Sequence, residues 1–208
     1  MKRKNAMNKT RKVFLAVAVC VMLLFTAACK KKDNTPFSHG AWSGKTYTSQ
    51  FFGIRVETGS DWAPIPDAEL AKQMRISDMS ESSIQSVFDK GGTVYEMVAA
   101  RSDGSSVSIV IQDHNKTVAL SEKDFYSAGL PFVKAMLEAQ GYQCSIEKDT
   151  VFFMGKNTNC ISLSLTANNR TVYETMIPVF KSHYTALISF GSVSKPDLYL
   201  LLDMVKEL

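Results

Sequence analysis

Alternating apolar and polar side chains mark large parts of the chain as β-strands that bury one face. In residues 106–113, Val107, Ile109 and Ile111 alternate with polar neighbours, which is the period expected of such a strand. The same period of two recurs in residues 160–166 and 184–190. Alternation and a high content of β-branched and aromatic residues predict further strands at 45–50, 53–57, 93–101, 144–147, 151–154 and 171–180.

Short polar turns connect several of these strands. Asp103-Gly104 lies between the strands at 93–101 and 106–113 and is a strong hairpin signal. Asn168-Asn169 is likewise predicted to form a turn, between the strands at 160–166 and 171–180. Because strands joined by tight turns pair antiparallel, the sequence predicts a largely antiparallel sheet.

Helical periodicity predicts elements that cover this sheet. Pro66 and Asp67 suit the start of a helix that runs to about residue 77, and a second short helix is expected at 81–88. Ser121-Glu122-Lys123-Asp124 is a capping box that opens a longer helix, kinked or restarted near Pro131 and ended by Gly141. The predicted fold class is therefore α+β, a helix–sheet–helix sandwich. A last helix after Ser194 carries an apolar stripe of Leu198, Leu201, Leu202, Val205 and Leu208.

The order of these elements resembles the PsbP-like fold. An early aromatic hairpin with Phe51-Phe52-Gly53-Ile54 is followed by Trp62 and by the strand pair around Asp103-Gly104-Ser105-Ser106-Val107. A long middle helix, a run of strands and a C-terminal helix complete the resemblance over most of residues 45–208. The family is mostly non-enzymatic, so the resemblance implies a binding or assembly-assisting domain. Its members bind different partners, and no functional residue of the family maps onto this chain by a clear motif.

The first 28 residues have the pattern of a secretory signal. Residues 1–12 contain six basic residues and no acid, and an unbroken apolar run follows from 13 to 25. As a helix, this run reaches roughly 20 Å, which is short of a hydrocarbon core of about 30 Å. We therefore expect residues 1–28 to be a removable signal peptide rather than a lasting transmembrane helix.

The end of this signal resembles the lipobox of bacterial lipoproteins. The residues are Thr26-Ala27-Ala28-Cys29, with threonine where leucine is usual. The resemblance implies cleavage between Ala28 and Cys29 and a diacylglycerol thioether on the Cys29 sulfur. Residues 29–44 would then form a lipidated tether, and residues 45–208 a single domain on the extracytoplasmic face of the cell membrane. Lys30, Lys31 and Lys32 could add electrostatic attraction to an anionic leaflet, or serve only as a solvated linker.

The charge of the domain differs from the charge of the whole chain. The full sequence has a formal net charge of +4, but all 20 acidic residues lie at or after Asp33. Residues 33–208 hold 15 basic and 20 acidic side chains, a net charge of −5. A nucleic-acid-binding domain needs a basic patch of its own, so nucleic acid is not expected as a partner.

Two cysteines remain in the predicted domain, Cys144 and Cys160. Export permits a disulfide between them, and closing a loop of this length would stabilise the fold by about 3 kcal/mol. The bond requires Cα atoms within about 7 Å, which the outer strands of a three-stranded meander would not provide. The disulfide is therefore a candidate rather than a firm expectation.

No established catalytic, nucleotide-binding or metal-binding motif occurs in the sequence, and we expect no cofactor and no metal. His39 lies in the predicted tether, His114 follows a strand and His183 lies in a turn. Asp113 is adjacent to His114, but neighbours on a strand face opposite sides, so a catalytic pair is not expected.

Two groups near the start of the domain have alternative interpretations. Asp61, Asp67 and Glu69 could bind a cation, but a turn and a helix N-terminus explain them better. The aromatic residues of this region are expected to close the core, although an exposed patch for a protein or peptidoglycan partner is the alternative. These residues are Trp42, Tyr47, Phe51, Phe52 and Trp62.

Together these features predict a non-catalytic, membrane-tethered binding or assembly module of the cell envelope. Its expected contacts are the membrane, through the lipid on Cys29, and an envelope protein or peptidoglycan. The alternative is an envelope hydrolase that uses an unrecognised carboxylate site. A solute-binding lipoprotein is a weaker alternative, since those proteins usually need two lobes and this chain has room for one.

Overall fold

The computed structural model describes residues 36–114, 126, 130–167 and 170–208. The signal peptide, the cleavage point between Ala28 and Cys29, and the capping box at 121–124 lie outside these residues. Within them, the predicted α+β fold with a largely antiparallel sheet and flanking helices is confirmed. None of the described helices is long and apolar enough to cross a membrane.

Seven strands form the large sheet, in the spatial order β4-β5-β6-β10-β9-β8-β7, and every pair in it is antiparallel. The hairpin predicted from Asp103-Gly104 joins β5 and β6, and Gly104 has the positive φ that such a turn requires. The strands are β4 (Trp62–Pro64), β5 (Thr93–Arg101), β6 (Ser106–Asp113), β7 (Gln143–Phe153), β8 (Lys156–Ala167), β9 (Arg170–Lys181) and β10 (Tyr184–Ser192).

A smaller antiparallel sheet combines the two ends of the domain. Its order is β1-β2-β3-β11, so the last strand of the chain pairs with an early one. Tyr47 and Ser49 face inward from β2, and both are fully buried. The strands are β1 (Ala41–Ser43), β2 (Thr46–Ser49), β3 (Ile54–Glu57) and β11 (Val205–Glu207).

Two layers of cover protect the large sheet. The small sheet and the C-terminal helix share one hydrophobic core with it, which contains Tyr47, Ile109, Phe190 and Leu201. On the opposite face, a second core joins α3 to the sheet through residues such as Val133 and Leu163, and a smaller core lies under α1. The helices are α1 (Asp67–Met74), α2 (Glu81–Phe88), α3 (Leu130–Ala139) and α4 (Lys195–Leu201).

Several boundaries differ from the sequence prediction; α1 ends at Met74 rather than near residue 77, and β8 begins at Lys156 rather than at residue 160. The final helix does not continue to Leu208, because α4 ends at Leu201 and a 3₁₀ turn (Leu202–Met204) leads into β11. The two short strands expected at 144–147 and 151–154 are one continuous edge strand, β7. The folded structure also begins before residue 45, since Phe37 is buried and β1 lies within the predicted tether.

Cys144 and Cys160 are both free thiols, so the candidate disulfide is not formed. They lie on the neighbouring strands β7 and β8, where Cys144 pairs with Leu165 and Cys160 pairs with Asp149. Five residues of register separate the two cysteines, which corresponds to about 17 Å along a strand. Since they also belong to cores on opposite faces of the sheet, a disulfide would require the hairpin to be rebuilt.

Candidate functional site

A buried carboxyl group, Glu96, connects the two sheets. Its side chain is fully buried, and the hydroxyl of Ser49 on β2 donates a hydrogen bond of 2.8 Å to Oε1. A β-bulge in β5 between Tyr95 and Met97 lets Glu96 and Met97 both face the small sheet. Burial raises the pKa of Glu96 to about 7, and the hydrogen bond from Ser49 opposes that shift.

Tyr47 makes the second polar contact at this point. Its hydroxyl donates to the backbone carbonyl of Glu96 at 3.4 Å, and burial raises the pKa of the phenol. The backbone at Gly40 passes so close that an added Cβ would lie 2.4 Å from the Tyr47 hydroxyl oxygen, so only glycine fits there. Glu96, Ser49, Tyr47 and Gly40 therefore form a polar node inside an apolar interface, and we refer to them as the Glu96 node.

The acidic residues near Trp62 do not form a cation site. Asp61 lies 3.8 Å from Arg101, whereas Asp67 lies 3.7 Å from Nε2 of His39. Asp61 and Asp67 therefore have different neighbours, a guanidinium group and an imidazole. In the part of the chain that the structure describes, no group of three or more His, Cys, Asp or Glu side chains is arranged to hold a metal ion.

A second buried carboxyl group, Glu174, lies on the other half of the large sheet. It is 1% exposed, and neither of its oxygens has a hydrogen-bond partner among the described residues. Burial raises the pKa of Glu174 well above its ordinary value. Because an unpaired charge in the interior is very costly, burial favours the neutral form of the Glu174 carboxyl group.

The histidines expected in loops are enclosed at one end of the large sheet. Nε2 of His114 lies 2.9 Å from the hydroxyl oxygen of Thr185, and the His114 amide donates to the carbonyl of His183. Burial, together with the nearby His183, lowers the pKa of His114 to about 4, so His114 is neutral at pH 7. The carboxylate of Asp113 lies 3.6 Å from Nε2 of His183.

The turn between β9 and β10 brings together the residue types of a serine hydrolase triad. The hydroxyl of Ser182 lies 3.0 Å from Nδ1 of His183, and Asp113 lies on the other side of the ring. The His–Asp distance of 3.6 Å exceeds hydrogen-bonding range, and the His183 side chain is 9% exposed. His183 is also stacked on Tyr184, with ring centroids 4.0 Å apart, so the imidazole packs as part of the core.

The early aromatic residues close the core, as expected. Tyr47, Phe51, Phe52 and Trp62 are all buried, and Trp42 packs against them from the edge. Phe37, which the sequence prediction assigned to the tether, belongs to the same cluster and contacts Phe51, Phe88 and Tyr184. The alternative of an exposed aromatic patch at these residues is therefore wrong.

Sequence reasoning missed both buried glutamates. Each follows a Val-Tyr pair inside a strand, as Val94-Tyr95-Glu96 and Val172-Tyr173-Glu174. An acidic residue that follows two apolar residues within a strand was the signal that could have identified them. At Glu96, however, alternation alone would not have predicted the buried face, since the bulge interrupts it.

Comparisons with known proteins show similarity of fold at low sequence identity. No family model matches the chain, and no curated protein matches it. Among solved structures, it is similar to cyanobacterial PsbP (CyanoP) from Synechocystis sp. PCC 6803, with 11% identity, a TM-score of 0.47, and coverage of 81% of this chain and 98% of that chain. It is also similar to LpqN, involved in cell envelope biogenesis of Mycobacterium tuberculosis, with 12% identity, a TM-score of 0.36, and coverage of 73% and 76%.

The first of these structures belongs to the family that the sequence resembles. Both TM-scores lie below 0.5, so neither likeness carries an argument about the site or the function. The fold class rests on the strands and helices of this chain, and the function has to be argued from its own residues.

The Glu96 node predicts a specific dependence of stability on pH. With a folded pKa near 7 and an ordinary value of 4.5, the folded state binds more protons than the unfolded state between these values. The free energy of unfolding should therefore fall by about 3 kcal/mol as the pH rises from 4.5 to 7. In Glu96→Gln, which keeps an acceptor for Ser49, this part of the decline should be absent.

Urea unfolding of the full chain at a series of pH values measures this effect. Glu138→Gln, at an exposed glutamate of α3, is the matched control and should keep the wild-type profile. Glu174 is present in the wild type and in both variants, so its contribution is common to all three. The comparison therefore uses the difference in the free energy of unfolding between each variant and the wild type. If the free energy of unfolding depends on pH in the same way in the wild type and in Glu96→Gln, then burial does not hold Glu96 protonated.

Proposed function

We propose that this protein is an extracytoplasmic lipoprotein, tethered to the membrane through Cys29, whose domain is a non-catalytic binding module of the cell envelope. The observation that carries the non-catalytic part is the burial of Glu96, Glu174 and Tyr47, whose pKa values burial raises. Glu96 and Tyr47 are 0% exposed and Glu174 is 1% exposed, so a substrate cannot reach them in the folded state. Groups with a strongly displaced pKa indicate an active site only where they line an accessible cleft.

The tether is supported by the sequence. A basic segment, an apolar run and Ala27-Ala28-Cys29 occur in the order that lipoprotein processing requires. Stable anchoring takes either two acyl chains or one chain with basic residues. A diacylglycerol group on Cys29, followed by Lys30, Lys31 and Lys32, would meet both conditions.

The binding role is supported by the surface. Several large apolar side chains are more than 45% exposed, including Phe152 at 68% and Leu200 at 69%. Phe152 lies at the end of the edge strand β7, and Leu200 lies on α4. Exposed apolar side chains next to open backbone edges are typical of surfaces that bind a protein partner.

The class of partner follows from charge and location. The residues after Lys32 carry a net charge of −5, which disfavours nucleic acid. On the outer face of a membrane, the available partners are envelope proteins and peptidoglycan. We propose an envelope protein as the first choice, because open sheet edges bind polypeptide backbone through hydrogen bonds.

An envelope hydrolase is the second candidate, and one observation favours it. Ser182 has a φ of 55°, in the left-handed region that a non-glycine residue occupies at a cost, and its hydroxyl contacts His183. Strained backbone at a serine next to a histidine occurs in some nucleophilic sites. The enclosed imidazole and the long His–Asp distance weigh against this candidate.

Replacement of the proposed lipidated cysteine tests the tether. Cys29→Ala should remove the proposed acylation site, so the protein should be lost from the membrane fraction and its leader should remain uncleaved. Cys20→Ala is the matched control, because Cys20 lies in the segment that is removed. Fractionation of cells, with mass spectrometry of the N-terminus, measures both effects, and undiminished membrane retention of Cys29→Ala would contradict the proposal.

An active-site probe tests the non-catalytic part. A fluorophosphonate labels an activated serine covalently, and the full-length protein should remain unlabelled under conditions that label a known serine hydrolase. Labelling that disappears in Ser182→Ala, but persists in Ser60→Ala at an exposed loop serine, would instead establish the hydrolase.

A further inference from the structure

A groove separates the tip of the β7–β8 hairpin from the C-terminal segment of the domain. Its volume is about 430 Å³, and its lining includes Phe152, Met154, Leu202, Asp203, Val205 and Glu207. One wall is therefore the end of the large sheet, and the other is β11, an edge strand of the small sheet. The groove is thus bordered by strands from both sheets.

The backbone of β11 has free hydrogen-bonding groups on the groove side. The amide of Leu208 donates to the carbonyl of Gly53, the residue just before β3, at 3.0 Å. Backbone groups of successive residues in an antiparallel strand point to opposite sides, so Lys206 also faces β3. The N–H and C=O of Glu207 consequently point away from β3, toward the unpaired edge. An extended peptide could continue the small sheet at this position.

The apolar wall of the groove is held in place by the core. Phe153 is buried and lies against Phe190, with ring centroids 6.2 Å apart, which fixes the end of β7. Its neighbour Phe152 therefore projects outward on a well-anchored strand, 68% exposed. The turn that follows, Met154-Gly155, has positive φ at both residues, as a tight two-residue hairpin requires.

The charge of the groove is negative. Lys206 also lines the groove, but its ammonium group lies 2.9 Å from the carboxylate of Glu57, which pairs with it. Asp203 and Glu207 have no ion pair within the described part of the chain, and both line the groove. Two carboxylates beside an apolar wall favour a ligand that carries basic and apolar side chains together.

We propose that this groove, which we call the β11 groove, binds an extended, basic and apolar segment of an envelope protein as an added strand. The proposal rests on the binding function proposed above and names the chemistry of the partner. A basic side chain of the segment lies beside Asp203 and Glu207, and an apolar side chain packs on Phe152. A second copy of this chain fits less well, because symmetric pairing would bring the same two carboxylates together from both copies.

A peptide titration tests the proposal directly. The probe is a short peptide of alternating valine and lysine, added to the full chain in detergent and followed by amide chemical shifts in NMR. Amides of residues 205–208 and 152–155 should shift. A peptide in which glutamate replaces lysine should bind more weakly, and so should one that is N-methylated along its pairing edge.

Substitutions at the two groove carboxylates test whether they attract the lysine side chains of the peptide. Asp203→Asn combined with Glu207→Gln should weaken binding of the valine–lysine peptide by about fivefold to tenfold, the effect of two exposed ion pairs. The matched control removes two acids from other surfaces, by Glu69→Gln combined with Glu138→Gln, and should bind as wild type does. Absence of binding, shifts confined to another surface, or equal weakening in the control would each overturn the proposal.

Cross-linking with two photoreactive variants distinguishes a wrong assignment of the β11 groove from a wrong assignment of the binding function. A photoreactive amino acid replaces Phe152 in one variant and Gln73, exposed on α1, in the other, and both are irradiated in native membranes. Adducts at 152 that the valine–lysine peptide suppresses would support the groove. Adducts at 73 alone would overturn the groove and leave the binding function standing, whereas absence of adducts at both positions would count against both.

Discussion

The docking of the small sheet on the large sheet is the interaction on which the rest of this structure depends. It buries Tyr47, Ile54 and Val56 against the large sheet, and the small sheet that docks there includes the pairing of β11 with β3. β11 pairs with β3 only because the chain after α4 turns back across the same core. The β11 groove therefore exists as a consequence of this docking, since one of its walls comes from each sheet.

A polar node lies within this apolar interface and gives it a defined register. Glu96 accepts a hydrogen bond from Ser49, and Tyr47 donates to the carbonyl of the same residue, so β2 can occupy only one position over β5. Removing one partner of such a buried pair leaves the other unsatisfied, which costs more than the bond itself contributes. Polar groups at this position thus specify how the sheets fit together, while the surrounding aliphatic and aromatic side chains supply most of the free energy.

Periodicity predicted the elements that are covered on one side and bounded by clear turns. The helix at 81–88 and the strands at 93–101 and 106–113 have the predicted bounds, and the predicted restart of a helix near Pro131 agrees with α3. The end of the chain was predicted wrongly because Leu198, Leu201, Leu202 and Val205 fit a helical stripe, whereas pairing with β3 makes Val205 part of a strand. β7 was divided in two because its exposed charged residues, 147–149, resemble a turn when their pairing with β8 is not known.

The candidate site could not be predicted to the same extent. Burial of Glu96 depends on a bulge and on contact with a strand almost fifty residues earlier, and a single sequence does not reveal such contacts. His114 and His183 were placed correctly along the chain, but their enclosure depends on the pairing of β6 with β10. The three-dimensional contacts thus indicate which polar groups belong to the core.

The central claim is that Glu96 and Glu174, whose pKa values burial raises, are enclosed structural groups, and we propose that function resides on the surface. The most direct test is a titration of the glutamate side-chain carboxyl carbons in the full chain by ¹³C NMR. The account predicts that Glu96 titrates near pH 7 and that Glu174 titrates well above its ordinary range. Titration of both residues near the ordinary value of 4.5 would show that water reaches them, and the claim of an enclosed, non-catalytic core would then be wrong.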